Sequence, residues 1–413
     1  MTAALVVFAL TYVAIAAGRV PFLSLDRPAA ALLGAVLMVA LGVLSPAQAG
    51  AAVNGDTVGL LLGMMILSAY LTEAGFFRWA SWRVVTGVST PRALLWGLTF
   101  TAGGLSAFLV NDTVCLMMTP LVLRIVDDAE LPPIPFLLAI AFGSNAGSVA
   151  TLTGNPQNMI VGTLSGISYA RFAAALALPA AASLLAVAAL LALVFRRALP
   201  HRRLVRGHIP RPAVDRTLLA KALGATGVVL VGFLLGLPLA WTALAGAALC
   251  MAVSGRVPRE ALMRVDWPLL LFFAGLFVVV AGVGQVGAAD RMHGVIAPLL
   301  GERPERQVLT FSLFTVLASQ VVSNVPFVLL AGHWIPRMSD PRLIWLATAL
   351  ASTLAGNLTV VGSVANIIVL ELAGERGRIG FWRFLRHGAL VTSVTLVLSL
   401  LILLGERALG WLG

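Results

Sequence analysis

Apolar runs long enough to cross a hydrocarbon core of ~30 Å at a helical rise of ~1.5 Å per residue recur along the whole chain. They lie near 3–18, 28–45, 57–76, 172–195, 217–236, 238–255, 267–286 and 384–405. Four further stretches break the pattern. Residues 92–126 and 306–336 are too long for one crossing, and each has a polar interruption, Asn111-Asp112 in the first and Ser323-Asn324 in the second. Such a stretch reads most simply as a re-entrant hairpin that dips in and returns to the same face. Residues 135–164 and 341–370 would each span about 45 Å as a single helix. Gly154-Asn155-Pro156 and Gly356-Asn357 through Gly362-Ser363 divide them into half-helices. The pattern predicts an all-α polytopic membrane protein of ten spans and two hairpins.

The two halves also match each other. Thr151, Gly154, Asn158, Ile160 and Val161 reappear 208 positions later as Thr359, Gly362, Asn366, Ile368 and Val369. Gly63 and Gly75 recur 212 later as Gly275 and Gly287, and Asn111 recurs 213 later as Asn324. Several matches in one order at nearly constant offset indicate an internal repeat. The expected division is a first repeat at 1–196, a basic linker at 197–216 and a second repeat at 217–413. Each repeat holds five spans and one hairpin, and an odd number of spans inverts the second copy relative to the first.

Composition supports this reading. Hydrophobic residues make up 60% of the 413 and charged residues only 11%, with a mean hydropathy of +0.98, far from the balance of a soluble domain. The net charge of +11 comes from 28 basic residues scattered over short loops, of which only Lys221 is a lysine. A nucleic-acid partner is therefore excluded; the main partner is the lipid bilayer, and the charge reports topology. With loop 196–216 in the cytoplasm, roughly three quarters of the basic residues fall inside, which places both termini in the periplasm of a bacterial inner membrane. The first segment lacks a signal peptide's basic n-region and small-residue cleavage site, so it is expected to remain as a span. Trp79, Trp82, Trp241, Trp267, Trp334 and Trp382 fall near span ends, as interface anchors do. Cys115 and Cys250 offer no disulfide framework, and the five histidines have no metal-ligand spacing.

The chemistry concentrates at the interruptions. An Asp at the bilayer centre costs ~2.5–3.5 kcal/mol, so Asp112 needs a role. Asp266, Glu73 and Glu371 lie near span ends and are poorer candidates. Asn155-Pro156 reads as an N-cap followed by proline in the first turn, and the limbs after Asp112 and at Asn324 begin similarly. Helix N-termini at membrane depth suit an anion. Helix ends entering the breaks offer carbonyls that, with Asn and Thr side chains, suit a small cation. The candidate substrate and ion ligands are Asn111, Asp112 and Thr113 at the first apex and Ser323 and Asn324 at the second. In the broken helices they are Asn145, Thr153, Gly154, Asn155, Asn158, Asn357, Thr359, Gly362, Ser363 and Asn366. No catalytic constellation or nucleotide loop is present, so an enzyme is not expected and energy must come from an ion gradient or a partner.

At these residues the chain resembles the ion transporter superfamily that groups arsenite permeases, NhaD-type sodium/proton antiporters, citrate-metal carriers, the P-protein and the divalent-anion/sodium symporters. Asn111-Asp112 with Leu116, Thr119, Pro120 and Val122 is similar to the arsenite permease apex. The runs SNAGSVATLTGNPQN (144–158), SNVPF (323–327) and GNLTVVGSVANIIV (356–369) resemble those of the P-protein and of bacterial anion permeases. The resemblance implies a homodimer in which a transport unit of hairpins and broken helices slides, elevator-like, against the other spans. The symporters carry a Ser-Asn-Thr triplet in each half that binds sodium and substrate carboxylate; here the triplets are Val110-Asn111-Asp112 and Ser323-Asn324-Val325. An acid in place of Thr favours proton exchange or a bound cation. The expected function is gradient-driven transport of a small anion, inorganic or carboxylate, with H+ or Na+ as coupling ion handled by Asp112 and no cofactor. A sodium/proton antiporter is the first alternative, and arsenite or antimonite efflux the second.

Overall fold

The computed structural model describes residues 1–17, 25–199, 203–204 and 210–412. Its helices are α1 (Thr2–Ala17), α2 (Arg27–Ala40), α3 (Pro46–Ala52), α4 (Gly55–Glu73), α5 (Phe76–Gly87), α6 (Pro91–Phe108), α7 (Asn111–Asp128), α8 (Pro133–Ser148), α9 (Pro156–Ser165) and α10 (Tyr169–Val194). They continue as α11 (Arg216–Leu234), α12 (Leu239–Val253), α13 (Pro258–Leu262), α14 (Trp267–Gln285), α15 (Ala288–Leu300), α16 (Pro304–Val322), α17 (Asn324–Ala331), α18 (Pro341–Ala355), α19 (Val364–Ala373) and α20 (Phe381–Ala408). Local chemistry sets many of the starts. Proline opens α3, α6 and α8, and proline again opens α13, α16 and α18. There its missing N–H costs nothing and its fixed φ suits the first turn. Gly75 and Gly287 precede α5 and α15 with φ of +85° and +66°, which explains why both positions of the repeat are glycine.

Among the described residues five helices, α4, α10, α11, α14 and α20, are long and apolar enough to cross a membrane. The runs at 28–45 and 238–255 give shorter helices than hydropathy predicts, of 14 and 15 residues, or about 21–22 Å. Each run contains its own stop: α2 ends ahead of Gly42 at φ +69°, and α12 ahead of Gly255 at φ +71°. Four short helices, α3, α5, α13 and α15, lie between the expected spans; at 5 to 13 residues they are too brief for a span-length hydropathy window. Most of the basic linker, with His201 and His208, lies outside the described residues.

The surface is apolar and the interior is polar. Leu10, Val228 and Leu317 are 57–62% exposed, whereas Ser144, Thr153, Asn158 and Asn366 are fully buried. This inverts the usual soluble distribution and fits a multi-pass membrane protein whose polar groups are satisfied inside. Trp241 and Trp382 are 71% and 77% exposed, as interface anchors should be. Trp334 departs from that reading: it is 1% exposed, packed against Phe314 at 6.2 Å.

The halves are interlocked rather than laid side by side. α4 packs on α12, and α14 packs on α2. A Cβ at Gly63 would lie 2.6 Å from the backbone of Ala243, and one at Gly275 would lie 2.7 Å from the backbone of Ala31. Only glycine permits either approach. The two contacts are the same contact exchanged, since Ala31 and Ala243 are also 212 positions apart.

Candidate substrate and ion site

Six helix N-termini, those of α2, α7, α9, α14, α17 and α19, converge on one cavity of about 250 Å³. α6 ends at Phe108, Leu109 and Val110 are extended, and α7 starts on Asn111 and Asp112. The apex is tied to the neighbouring break, because the Asn111 N–H donates to the Gly154 carbonyl at 3.0 Å. α9 begins behind Asn155, whose side chain accepts from the Asn158 N–H at 2.9 Å, with Pro156 in the first turn. α16 and α17 meet at Ser323, which holds φ +71° and ψ 159°, a combination that L-residues adopt only under constraint. α19 starts after Ser363. Asn111 and Asp112, Pro156 and Gln157, Asn324 and Val325, and Ser363 and Val364 all line the cavity, together with Ser323 and Gly362.

The remaining predicted ligands stand behind this surface and brace it. Asn145 accepts from Asn111 Nδ2 at 3.1 Å and from Ser363 Oγ at 3.0 Å, and donates to Asn357 Oδ1 at 2.9 Å and Asn366 Oδ1 at 3.4 Å. Asn158 Nδ2 donates to the carbonyls of Ser148 and Thr151, both at 3.0 Å. Asn366 Nδ2 donates to those of Gly356 and Thr359 at 2.7 and 3.0 Å. These are one staple used twice, since all three residues in each set are 208 apart. Gly154 fits because a Cβ there would lie 2.3 Å from the Ser148 carbonyl oxygen. Asn155 Nδ2 reaches Ser148 Oγ at 2.9 Å and Thr353 Oγ1 at 3.1 Å. Thr153 bonds with Thr151 and Tyr169, and Thr359 donates to Gln320 at 2.8 Å. Thr113 lines a second cavity of about 320 Å³, which adjoins the first through Asp112, Asp266 and Leu269.

Three atoms in this network are left over, Asn357 Nδ2 behind the cavity and two amide oxygens at its surface. Asn111 Oδ1 and Asn324 Oδ1, on cavity-lining residues one from each apex, are buried and have no hydrogen-bond partner among the described residues. An unsatisfied buried amide oxygen costs ~1–3 kcal/mol, so such groups mark places where a ligand completes the bonding. Electrostatically, each helix end contributes about half a positive charge. Six of them outweigh the two carboxylates of Asp112 and Asp266, and Arg27 adds to the positive character of the cavity.

Asp266 corrects the sequence reading. It lies at a span end as the sequence indicates, but it is not a poorer candidate for that, since it lines both cavities with Asp112. It sits at the start of α14, where its Oδ1 accepts from the Leu269 N–H at 3.0 Å, and Asp26 caps α2 in the same way at 2.9 Å. The two Asp-x-Pro starts, Asp26-Arg27-Pro28 and Asp266-Trp267-Pro268, bring Arg27, Asp266, Phe272 and Phe273 to the cavity. That shared cap signature is the signal that could have found them. Gln157, next to the Asn155-Pro156 break, was also passed over.

Known proteins share this architecture. A silicon efflux transporter of Oryza sativa subsp. japonica is 30% identical over 92% of this chain and 93% of its own. A transporter of Mycobacterium tuberculosis is 32% identical over 96% of both chains. A putative arsB transporter of Dictyostelium discoideum is 24% identical over 93% of this chain and 88% of its own. Among solved structures, the YdaH transporter of Alcanivorax borkumensis superposes with a TM-score of 0.58 at 18% identity, covering 99% of this chain and 98% of that one; it shares the fold. Residues 10–340 match the family described as citrate transporter, and the chain, an all-helical multi-pass membrane protein, belongs to that family of membrane transporters.

Proposed function

We propose that the protein is a secondary active transporter that moves a small anion, inorganic or carboxylate, coupled to H+ or Na+ by an elevator-like movement. The observation that carries this is the convergence of the N-termini of α7, α9, α17 and α19 on one cavity that also holds Arg27. Unpaired N–H groups and aligned dipoles bind anions without a dedicated cation. Uptake of a proton by Asp112 would remove one negative charge from the cavity and strengthen anion binding there. Proton and anion would then move together. The description of the family as citrate transporters and the name of the silicon efflux relative point to the same broad class, small carboxylates and weak oxyacids.

The inverted repeat is supported by the recurring helix starts and by the exchanged Gly63–Ala243 and Gly275–Ala31 contacts. In this reading α6–α9 and α16–α19 form the transport unit, the other spans form the scaffold of a homodimer, and both termini face the periplasm of an inner membrane. A cation/proton antiporter is the second reading. It is favoured by the two unpartnered amide oxygens beside Asp112 and Asp266, a set of oxygens that could hold a cation. Metalloid efflux has less support: Cys115 is buried and bonded to Ser144 at 3.0 Å.

Proteoliposomes separate these readings. Saturable uptake of one member of a panel of oxyanions and carboxylates, driven by a proton or sodium gradient and lost in Asp112→Asn, is the expected result. pH-dependent sodium exchange in the absence of any added anion would overturn it.

A further inference from the structure

A cavity of about 610 Å³ lies between α5, α7 and the linker that joins the two halves. Its charged lining consists of Arg78, Arg124, Arg211 and Asp128, a net charge of +2. None of the three guanidinium groups has an ion-pair partner among the described residues, whereas Arg256, Arg337, Arg376 and Arg407 are all paired with carboxylates. Asp127, next to Asp128 in sequence, is taken by Arg376. Positive charge is thus left uncompensated in one place.

Arg211 is also held in position. It stands between Pro210 and Pro212, which restrict the backbone on both sides, and its guanidinium lies 5.8 Å from the centre of the Trp82 ring. The linker is fastened on either side of it. The Leu204 N–H donates to the Ser89 carbonyl at 2.9 Å, and the Asp215 N–H to that of Ala74 at 3.1 Å. The Leu218 N–H and the Arg256 guanidinium hold the Asp215 carboxyl below the usual carboxylate range, so that anchor stays ionised at neutral pH.

The cavity neighbours the central ones. It shares Leu116 and Met117 with the cavity that reaches Asp112, which in turn adjoins the cavity at the helix ends.

We infer that Arg78, Arg124 and Arg211 form a docking site for an oxyanion carrying two or more negative charges, across Leu116 and Met117 from the cavity that reaches Asp112. Planar guanidinium forks match phosphate and carboxylate oxygens in pairs, and three around one cavity select for multiple charge. The inference deepens the anion-transport reading and rests on it for the direction of travel; binding itself stands apart.

The test titrates inorganic phosphate into the full chain in phosphatidylcholine nanodiscs and follows tryptophan emission. A saturable change is expected in the wild type and is lost in Trp82→Phe. The dissociation constant should rise at least tenfold in the triple variant Arg78→Gln/Arg124→Gln/Arg211→Gln, rise with added salt, and stay within twofold in Arg291→Gln, an arginine on α15 outside this cavity. Arg211→Gln alone, in the exposed linker, serves if the triple variant does not fold. In nanodiscs containing cardiolipin, whose headgroup carries two phosphates, a tenfold weaker phosphate response identifies a lipid headgroup as the source of the anion, and an unchanged response identifies a free solute; either supports the site. No saturable signal in the wild type, or equal constants in the wild type and the arginine variants, would overturn it. Phosphate binding that depends on the arginines with no anion flux through the protein would sink the transport reading alone.

Discussion

The two apices occupy equivalent positions and are built differently. At the first, Val110 has ordinary backbone angles, φ −57° and ψ 122°, and Asn111 is held at both ends, by its N–H on Gly154 and its Nδ2 on Asn145. An acid follows. At the second, Ser323 sits in the left-handed region, its neighbour Asn324 makes no side-chain hydrogen bond among the described residues, and Val325 stands where the first apex has Asp112. The first apex is clamped and carries an acid, whereas the second is strained and has none. Equivalent position therefore does not mean equivalent work: the first is suited to carry the coupling ion, and the second to bind without titrating.

Replacing the acid should have the largest effect. Asp112→Asn is expected to reduce gradient-driven flux by at least ~100-fold, about the scale of losing one essential acid-base group, while leaving the melting temperature unchanged or higher because a buried charge is removed. The exchange variant Asp112→Val/Val325→Asp should not restore flux, measured in the same proteoliposomes; recovery would mean that the apices are interchangeable. Next come the paired amides. Asn111→Ala and Asn324→Ala should each weaken substrate or ion binding about 5- to 100-fold, the worth of one buried hydrogen bond at ~1–3 kcal/mol, read by isothermal titration. Only Asn111→Ala should also destabilise the fold, through the abandoned Asn145, and equal melting temperatures for the two would count against the clamp.

Backbone variants sharpen the contrast further. Ser323→Gly should raise stability by ~1–3 kcal/mol through relief of a left-handed residue, whereas Val110→Gly should lower it by ~2–4 kcal/mol through added chain entropy and the loss of a buried side chain. Thermal unfolding of both decides whether the strain belongs to the second apex alone. Asp266→Asn is expected to do least. Asn still caps α14, so only the electrostatic coupling to Asp112 is lost, and the pH of half-maximal flux should move toward acid because a neighbouring negative charge no longer favours the protonated form. An unmoved pH profile would separate Asp266 from the coupling site.

Much of this was legible in the sequence because the repeat preserved what each half needs locally. Asn158 and Asn366 recur since each must staple its own loop, and Gly63, Gly75, Gly275 and Gly287 recur since their backbones leave no room for, or no comfort to, a side chain. The same staples explain why sequence alone assigned Asn158 and Asn366 to the ligand surface: a buried amide at a helix break looks alike whether it faces a cavity or the loop beneath it. Arg27 and Asp266 were beyond reach for another reason. Their place at the cavity depends on α2 lying against α14, a contact between the halves that no local pattern records. The short helices α3 and α13 escaped because five to seven residues leave no periodicity to detect, although the Ser45–Gln48 capping box announces one of them.

The exchanged glycine contacts carry a consequence for how the protein is made. α4 fits against α12, and α2 against α14, so the first half leaves the ribosome with two small-residue faces and no mate for either. Those faces must wait in the insertion machinery or in lipid until the second half arrives, and a chain arrested midway would be a substrate for membrane proteases. Conversely, the two halves synthesised as separate polypeptides carry everything required to find each other, since the register of their union is written in the positions where each has given up a side chain.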